Sequence, residues 1–141
     1  MIGSAYVEIL EPLRRYERYN DMSIVGKITY GETTFLFGGD AEWDAEHDLV
    51  DSVADLSADV LRIYYHGSNS SSTNVFLRAV LPTYAIISVS ADNPYGHPLE
   101  GTLARLGDVG AVVMRTDEMG TIECTSDGSN IIFNPIKKPK K

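Results

Sequence analysis

Apolar positions alternate with period two at the start of the chain, switch to a helical period near its middle, and alternate again at the end. Ala5 to Leu10 reads as a short strand stopped by Pro12, and Leu13 to Asp21 as a polar connection. Ser23 to Tyr30 and Thr33 to Phe37 read as two strands joined at Gly31-Glu32, a hairpin. Trp43, His47, Val50, Val53 and Ala54 then recur at helical spacing and predict a helix of about three to four turns. Asp59 to Tyr65 is a largely apolar strand, Gly67 to Thr73 a Ser-rich loop, and Asn74 to Val80 a short helix ended by Pro82. A second apolar strand runs from Tyr84 to Ser90, followed by a turn-rich loop over Ala91 to His97. Leu99 to Val109 reads as a helix with Leu99, Leu103 and Leu106 as its stripe, and Ala111 to Arg115 as a strand. Thr121 to Thr125 and Asn130 to Phe133 close the pattern as a hairpin around Asp127-Gly128. Strands first, then alternating helix and strand, predict a mixed α/β fold, a sheet with helices on one face.

Composition narrows the partners. The 141 residues suit one domain. A formal net charge of −8 argues against tight nonspecific nucleic-acid binding by the surface as a whole, and leaves room for a local basic contact. Lys137, Lys138, Lys140 and Lys141 form a basic tail over 137–141, readable as a solvated, disordered end or as a contact for an anionic polymer or membrane surface. The single cysteine, Cys124, excludes an intrachain disulfide and reads as a small strand residue. No apolar run approaches the roughly 20 residues that span a membrane, and residues 1 to 20 lack a signal-peptide pattern. The chain reads as soluble and cytoplasmic by default, although a parent protein could be membrane-attached.

Three motifs at strand ends carry candidate chemistry. Asp40 follows Gly38-Gly39 and reads either as the N-cap of the helix after it or as a metal carboxylate. His66-Gly67-Ser68 opens the serine loop; His66 reads as a turn residue or a ligand, and the hydroxyls as solvated groups or phosphate contacts. His97, between Gly96 and Pro98, sits on a loop stiffened by Pro94 and Pro98 and reads as a turn histidine or a positioned imidazole. His47, inside the helical pattern, reads as a packing or surface residue. A Gly-rich phosphate loop, a Cys-x-x-Cys pair and a Gly-x-Ser-x-Gly elbow are all absent from the sequence.

Read jointly, the motifs are more specific. Asn20-Asp21-Met22-Ser23-Ile24-Val25, Tyr30 through Glu42, Ala58 through Ser68, Phe76 through Pro82, Asn93-Pro94-Tyr95-Gly96-His97-Pro98 and Arg115-Thr116-Asp117 occur in that order. This series resembles the metallo-β-lactamase fold, and within it the hydrolase-like domain of the ComEC competence DNA-uptake proteins and their soluble relatives. The resemblance implies that residues 1–136 form the C-terminal half of an αββα sandwich. It implies a phosphodiesterase- or nuclease-like hydrolase, with zinc or manganese in the full domain. Asp40 would be the metal-bridging carboxylate and His97 the late ligand. His66 would be a ligand or phosphate contact, with Ser68 lining the site. Asp40, His66 and Ser68 are thus the candidate catalytic residues, and Asp40, His66 and His97 the candidate metal ligands.

The sequence departs from that family at informative places. Its first metal motif, H-x-H-x-D-H, is absent; Tyr65 stands where it has a first histidine, and Gly38 where it has a threonine. The resemblance therefore implies a fragment or degenerate half-domain, inactive or weakly active alone, or a non-catalytic binding or assembly module on the same scaffold. A half-domain exposes the sheet face that normally meets its other half. That predicts a homodimer, or a missing N-terminal half as partner.

Overall fold

The alternating first third of the chain builds an antiparallel meander. In the computed structural model, which describes residues 4–136, β1 (Tyr6–Glu11) pairs with β2 (Val25–Tyr30), and β2 with β3 (Thr33–Phe37) across Gly31-Glu32. Three parallel strands extend the sheet: β4 (Val60–Arg62), β5 (Tyr84–Ile87) and β6 (Val112–Arg115). The spatial order follows the chain, β1 to β6, in one mixed six-stranded sheet. Helices α1 (Trp43–Asp51), α2 (Asn74–Val80) and α3 (Glu100–Asp108) make the parallel crossovers. Crossovers of one hand that step in one direction leave their helices on one face, and α2 packs on both α1 and α3. The expected α/β class, with helices on one face, is what the structure shows.

The core lies between helices and sheet. Leu36, Leu61 and Ala85 are register neighbours on the helix side, all fully buried. Leu49, Phe76, Leu77 and Leu106 meet them from the helices. The opposite face carries a second apolar row: Ile28, Phe35, Val60, Tyr84 and Val112. The final hairpin, β7 (Thr121–Ser126) and β8 (Ile131–Ile136), covers one end of that face. Phe133 packs on Tyr84 with ring centroids 4.7 Å apart, and Ser126 Oγ lies 2.7 Å from Thr33 Oγ1. The two hairpin turns also touch: the Glu32 N–H donates to the Gly128 carbonyl at 2.6 Å. A Cβ on Gly31 would stand 2.3 Å from that carbonyl, which accounts for glycine there. The other end stays open, with Ile9 at 64% and Phe37 at 42% exposure.

Several sequence expectations change. Helix α1 is nine residues, about two and a half turns. Ser52 ends it, with its Oγ–H donating to the Leu49 carbonyl at 2.7 Å. Its buried face is Ala45, Glu46 and Leu49, while Trp43, His47 and Val53 are exposed. Of the expected stripe, Val50 and Ala54 do pack against the core, and the centre of the buried face is held by a glutamate. Strands β4 and β5 are shorter than their apolar runs, since the residues after Arg62 and Ile87 turn into loops. Leu99 precedes α3 instead of lying in it, and a one-turn helix, α4 (Thr116–Met119), follows β6. Cys124 sits on β7 and is exposed. The basic run 137–141 lies outside the described residues. Among the described residues, no helix is long and apolar enough to cross a membrane.

Candidate functional site at the strand ends

The C-terminal ends of β3, β4 and β5 are adjacent, so the loops that leave them meet along one edge. Ligands of parallel sheets bind at such edges. The first loop carries Asp40. Gly38 is required by packing: a Cβ there would stand 2.2 Å from Cζ of the fully buried Tyr64. Gly39 takes φ 37°, and the Asp40 N–H donates to Ser23 Oγ at 3.2 Å. Asp40 does not cap α1. Asp21 does so from a distance, its Oδ1 accepting the N–H groups of Glu42 (2.9 Å) and Ala45 (3.2 Å). Asn20 adds a bond to Glu42 Oε1 at 3.0 Å. The Asn20–Ser23 segment is thus a brace for residues 40 to 45, leaving the Asp40 carboxylate uncommitted to the helix.

The second loop is a tight turn. Tyr65 (φ 48°), His66 (φ 55°) and Gly67 (φ 87°) are three consecutive left-handed residues. Such a backbone costs roughly 1–3 kcal/mol for each non-glycine residue, and concentrates at functional sites. The turn aims His66 at Asp40: Nε2 lies 3.6 Å from Asp40 Oδ1. Nδ1 lies 2.6 Å from the Ser88 carbonyl. A carbonyl only accepts, so Nδ1 carries the proton and Nε2 keeps its lone pair while the ring is neutral. Ligating histidines are oriented in this way.

Gly67 also docks the third loop. A Cβ on it would stand 2.6 Å from Cβ of Pro98, and the Leu99 N–H donates to the Gly67 carbonyl at 3.0 Å. His97 is thereby brought beside His66. Asn93 holds it from within the loop, accepting the His97 N–H at 2.9 Å and donating to the His97 carbonyl at 2.7 Å. The His97 ring stacks on Tyr95 (centroids 5.6 Å) and meets the edge of Tyr65 (5.9 Å). Burial, and secondarily His66, lower its pKa, which favours neutral imidazole. His66, Val89, Ser90, Asn93, Tyr95 and His97 line a small, mainly apolar cavity of about 200 Å³.

Ser68 faces elsewhere. Its Oγ lies 3.0 Å from Ser70 Oγ and accepts the Ser70 N–H at 3.3 Å. The serine loop is clamped from two sides. Buried Glu46 accepts the N–H groups of Ser72 and Thr73 (2.9 Å for Thr73). Arg105 donates to the carbonyls of Ser72 (2.8 Å) and Ser71 (3.1 Å). Ser71 Oγ in turn donates to the Tyr64 carbonyl at 3.0 Å, where the left-handed turn begins. Burial raises the Glu46 pKa to about 7 against those bonds and Arg105. Sequence reading gave Glu46 and Arg105 no role, and nothing local in the sequence marks them.

His66 therefore lies between two of the candidates, with its oriented imidazole 3.6 Å from the Asp40 carboxylate and His97 lining the same small cavity. A protein-bound zinc takes four ligands. Among the described residues, no group of three His, Cys, Asp or Glu side chains converges so as to hold an ion. The donor set does not fit a resident metal on its own.

No family model matches the chain. Curated proteins do. The chain is 34% identical over 104 residues to ComE operon protein 3 of Bacillus subtilis and 37% identical over 105 residues to competence protein ComA of Neisseria gonorrhoeae, each alignment covering 74% of the chain. Recombination protein 2 of Haemophilus influenzae is 30% identical over 118 residues, or 83% of the chain. The chain spans 13% of the first relative and 15% of the other two. It is thus a homologue of one segment of these competence-related proteins.

Proposed function

We propose that the chain serves in DNA uptake as the C-terminal half of a hydrolase-type phosphodiester site, completed by donors from outside these residues. The observation that carries this is the Asp40–His66 pair. Two residues 26 positions apart approach to 3.6 Å at the edge of a parallel sheet, with the imidazole tautomer fixed by Ser88. The two consecutive left-handed residues Tyr65 and His66 support the same reading, because such strain concentrates at functional sites. Asp40 would supply a carboxylate, and His66 its Nε2 atom directed at the same space. His97, its pKa lowered chiefly by burial, would line the adjoining cavity. Similarity to competence proteins supplies the DNA-uptake setting.

Hydrolysis of a model phosphodiester tests the reading. The chain alone is expected to be inert or nearly so. Mixed with the preceding segment of a relative that bears H-x-H-x-D-H, in the presence of zinc or manganese, it should hydrolyse the ester, and Asp40→Ala should abolish this. An inert mixture of two folded pieces that bind each other would contradict it.

A second reading has an observation of its own: the short donor set, with Tyr65 where a histidine is expected. On that reading the chain is a binding or assembly module on a hydrolase scaffold. Asp40→Ala and His97→Ala would then fold normally and leave its association with partners unchanged.

A further inference from the structure

Arg62 ends β4, with its side chain on the sheet face opposite the helices, beside Ile86. It is partly buried, and its Nη1 donates to the carbonyl of Gly39 at 2.7 Å. That bond ties the guanidinium to the residue immediately before Asp40. Among the described residues, most other cations are engaged. Arg14, Arg18, Lys27 and Arg115 each meet a carboxylate. Arg105 is taken by the serine-loop carbonyls. Arg15 and Arg78 are exposed and solvated. Among the described residues, Arg62 has no carboxylate partner, although acidic residues exceed basic ones in the chain.

A guanidinium held by one carbonyl in an exposed hydrogen bond, with no carboxylate partner, keeps several N–H donors unused. Its planar fork matches the oxygens of a phosphate in a two-point contact. The carbonyl anchor lets Arg62 contribute without neutralising Asp40, which stays available to the His66 pair. We propose that Arg62 is the phosphate-binding group of this edge, taking an oxyanion of a phosphodiester or of free phosphate. The inference rests on the hydrolase-type reading and names the residue that holds its substrate.

The test is equilibrium binding of a fluorescent short oligothymidylate, in EDTA and low salt, with inorganic phosphate titrated separately. Wild type should bind, and Arg62→Ala should weaken binding about tenfold or more, the scale of charge-assisted hydrogen bonds. The salt slope should fall by about one. Arg62→Gln keeps a donor for the Gly39 carbonyl and removes the charge, so it should weaken binding similarly without moving Asp40. Arg78→Ala, on the exposed side of α2, should bind like wild type. If phosphate binds through Arg62 and the oligonucleotide does not, the ligand is a free anion held by the same chemistry. Wild type that binds neither probe, or Arg62→Gln that binds as wild type, overturns the proposal. Hydrolysis by the two-piece mixture without Arg62-dependent binding would remove this inference alone. Arg62-dependent binding without hydrolysis would remove only the hydrolase reading.

Discussion

Glu46 accepts the backbone N–H of Thr73 at 2.9 Å, joining the buried face of α1 to the first turn of α2. It also accepts the neighbouring Ser72 N–H, while Arg105 grips the same loop by its carbonyls. The cost of burying this carboxylate raises its pKa from the ordinary 4.5 to about 7, against bonds that favour the charged form. Tyr64, buried nearby with no hydrogen-bond partner for its hydroxyl, adds no compensation.

The sign of the pH effect follows. Between pH 4.5 and 7 the folded chain binds a proton at Glu46 that the unfolded chain has released. The contribution is therefore fully present below the unfolded value and lost as pH rises through the folded one. The loss is about 3 kcal/mol at 1.36 kcal/mol per pKa unit. Glu11, also raised by burial, acts in the same direction. Urea unfolding from pH 4.5 to 8 should show wild type losing stability and Glu46→Gln losing distinctly less. Equal slopes would show that Glu46 does not titrate in this window.

Gly67 is the hinge between two candidate residues. It has φ 87°, and Pro98 leaves no room for a side chain. Gly67→Ala should cost at least about 1–2 kcal/mol from backbone handedness alone, with more from the clash. The His97 loop should be displaced with it, read as altered amide shifts at His97 and Leu99. Stability and shifts close to wild type would mean that the loop is not set by this contact.

The open end of the sheet predicts association. Ile9 and Phe37 are exposed there, and covering such a surface returns roughly 25 cal/mol for each Å² of apolar area. Sedimentation is expected to show a concentration-dependent dimer, weakened by Phe37→Asp. A monomer at all concentrations would contradict a second copy as the face-to-face partner.

The sheet order was legible because its signals are local. Gly31-Glu32 marks the first hairpin, Asp127-Gly128 the last, and β-branched runs fill the strands between them. The apolar pattern of helix α1 found Val50 and Ala54 but missed the centre of its buried face, since a buried Glu46 is invisible to a pattern built on apolar residues. Capping by Asp21 escaped notice because an N-cap is sought next to its helix, not some twenty residues earlier. Motif order placed Asp40, His66 and His97 on successive strand-end loops, and the strand register sets His66 beside Asp40 and beside the His97 loop. Arg62 was not singled out: its place beside Gly39 exists only once β3 and β4 are paired.

Metal stoichiometry tests the central claim most directly. Zinc and manganese should be measured by elemental analysis on the purified chain, and again after it is joined by a segment bearing H-x-H-x-D-H. The account predicts less than one equivalent on the chain alone, and at least one in the pair, lost with Asp40→Ala. Full occupancy of the chain alone, or occupancy of the pair that is indifferent to Asp40, would contradict it.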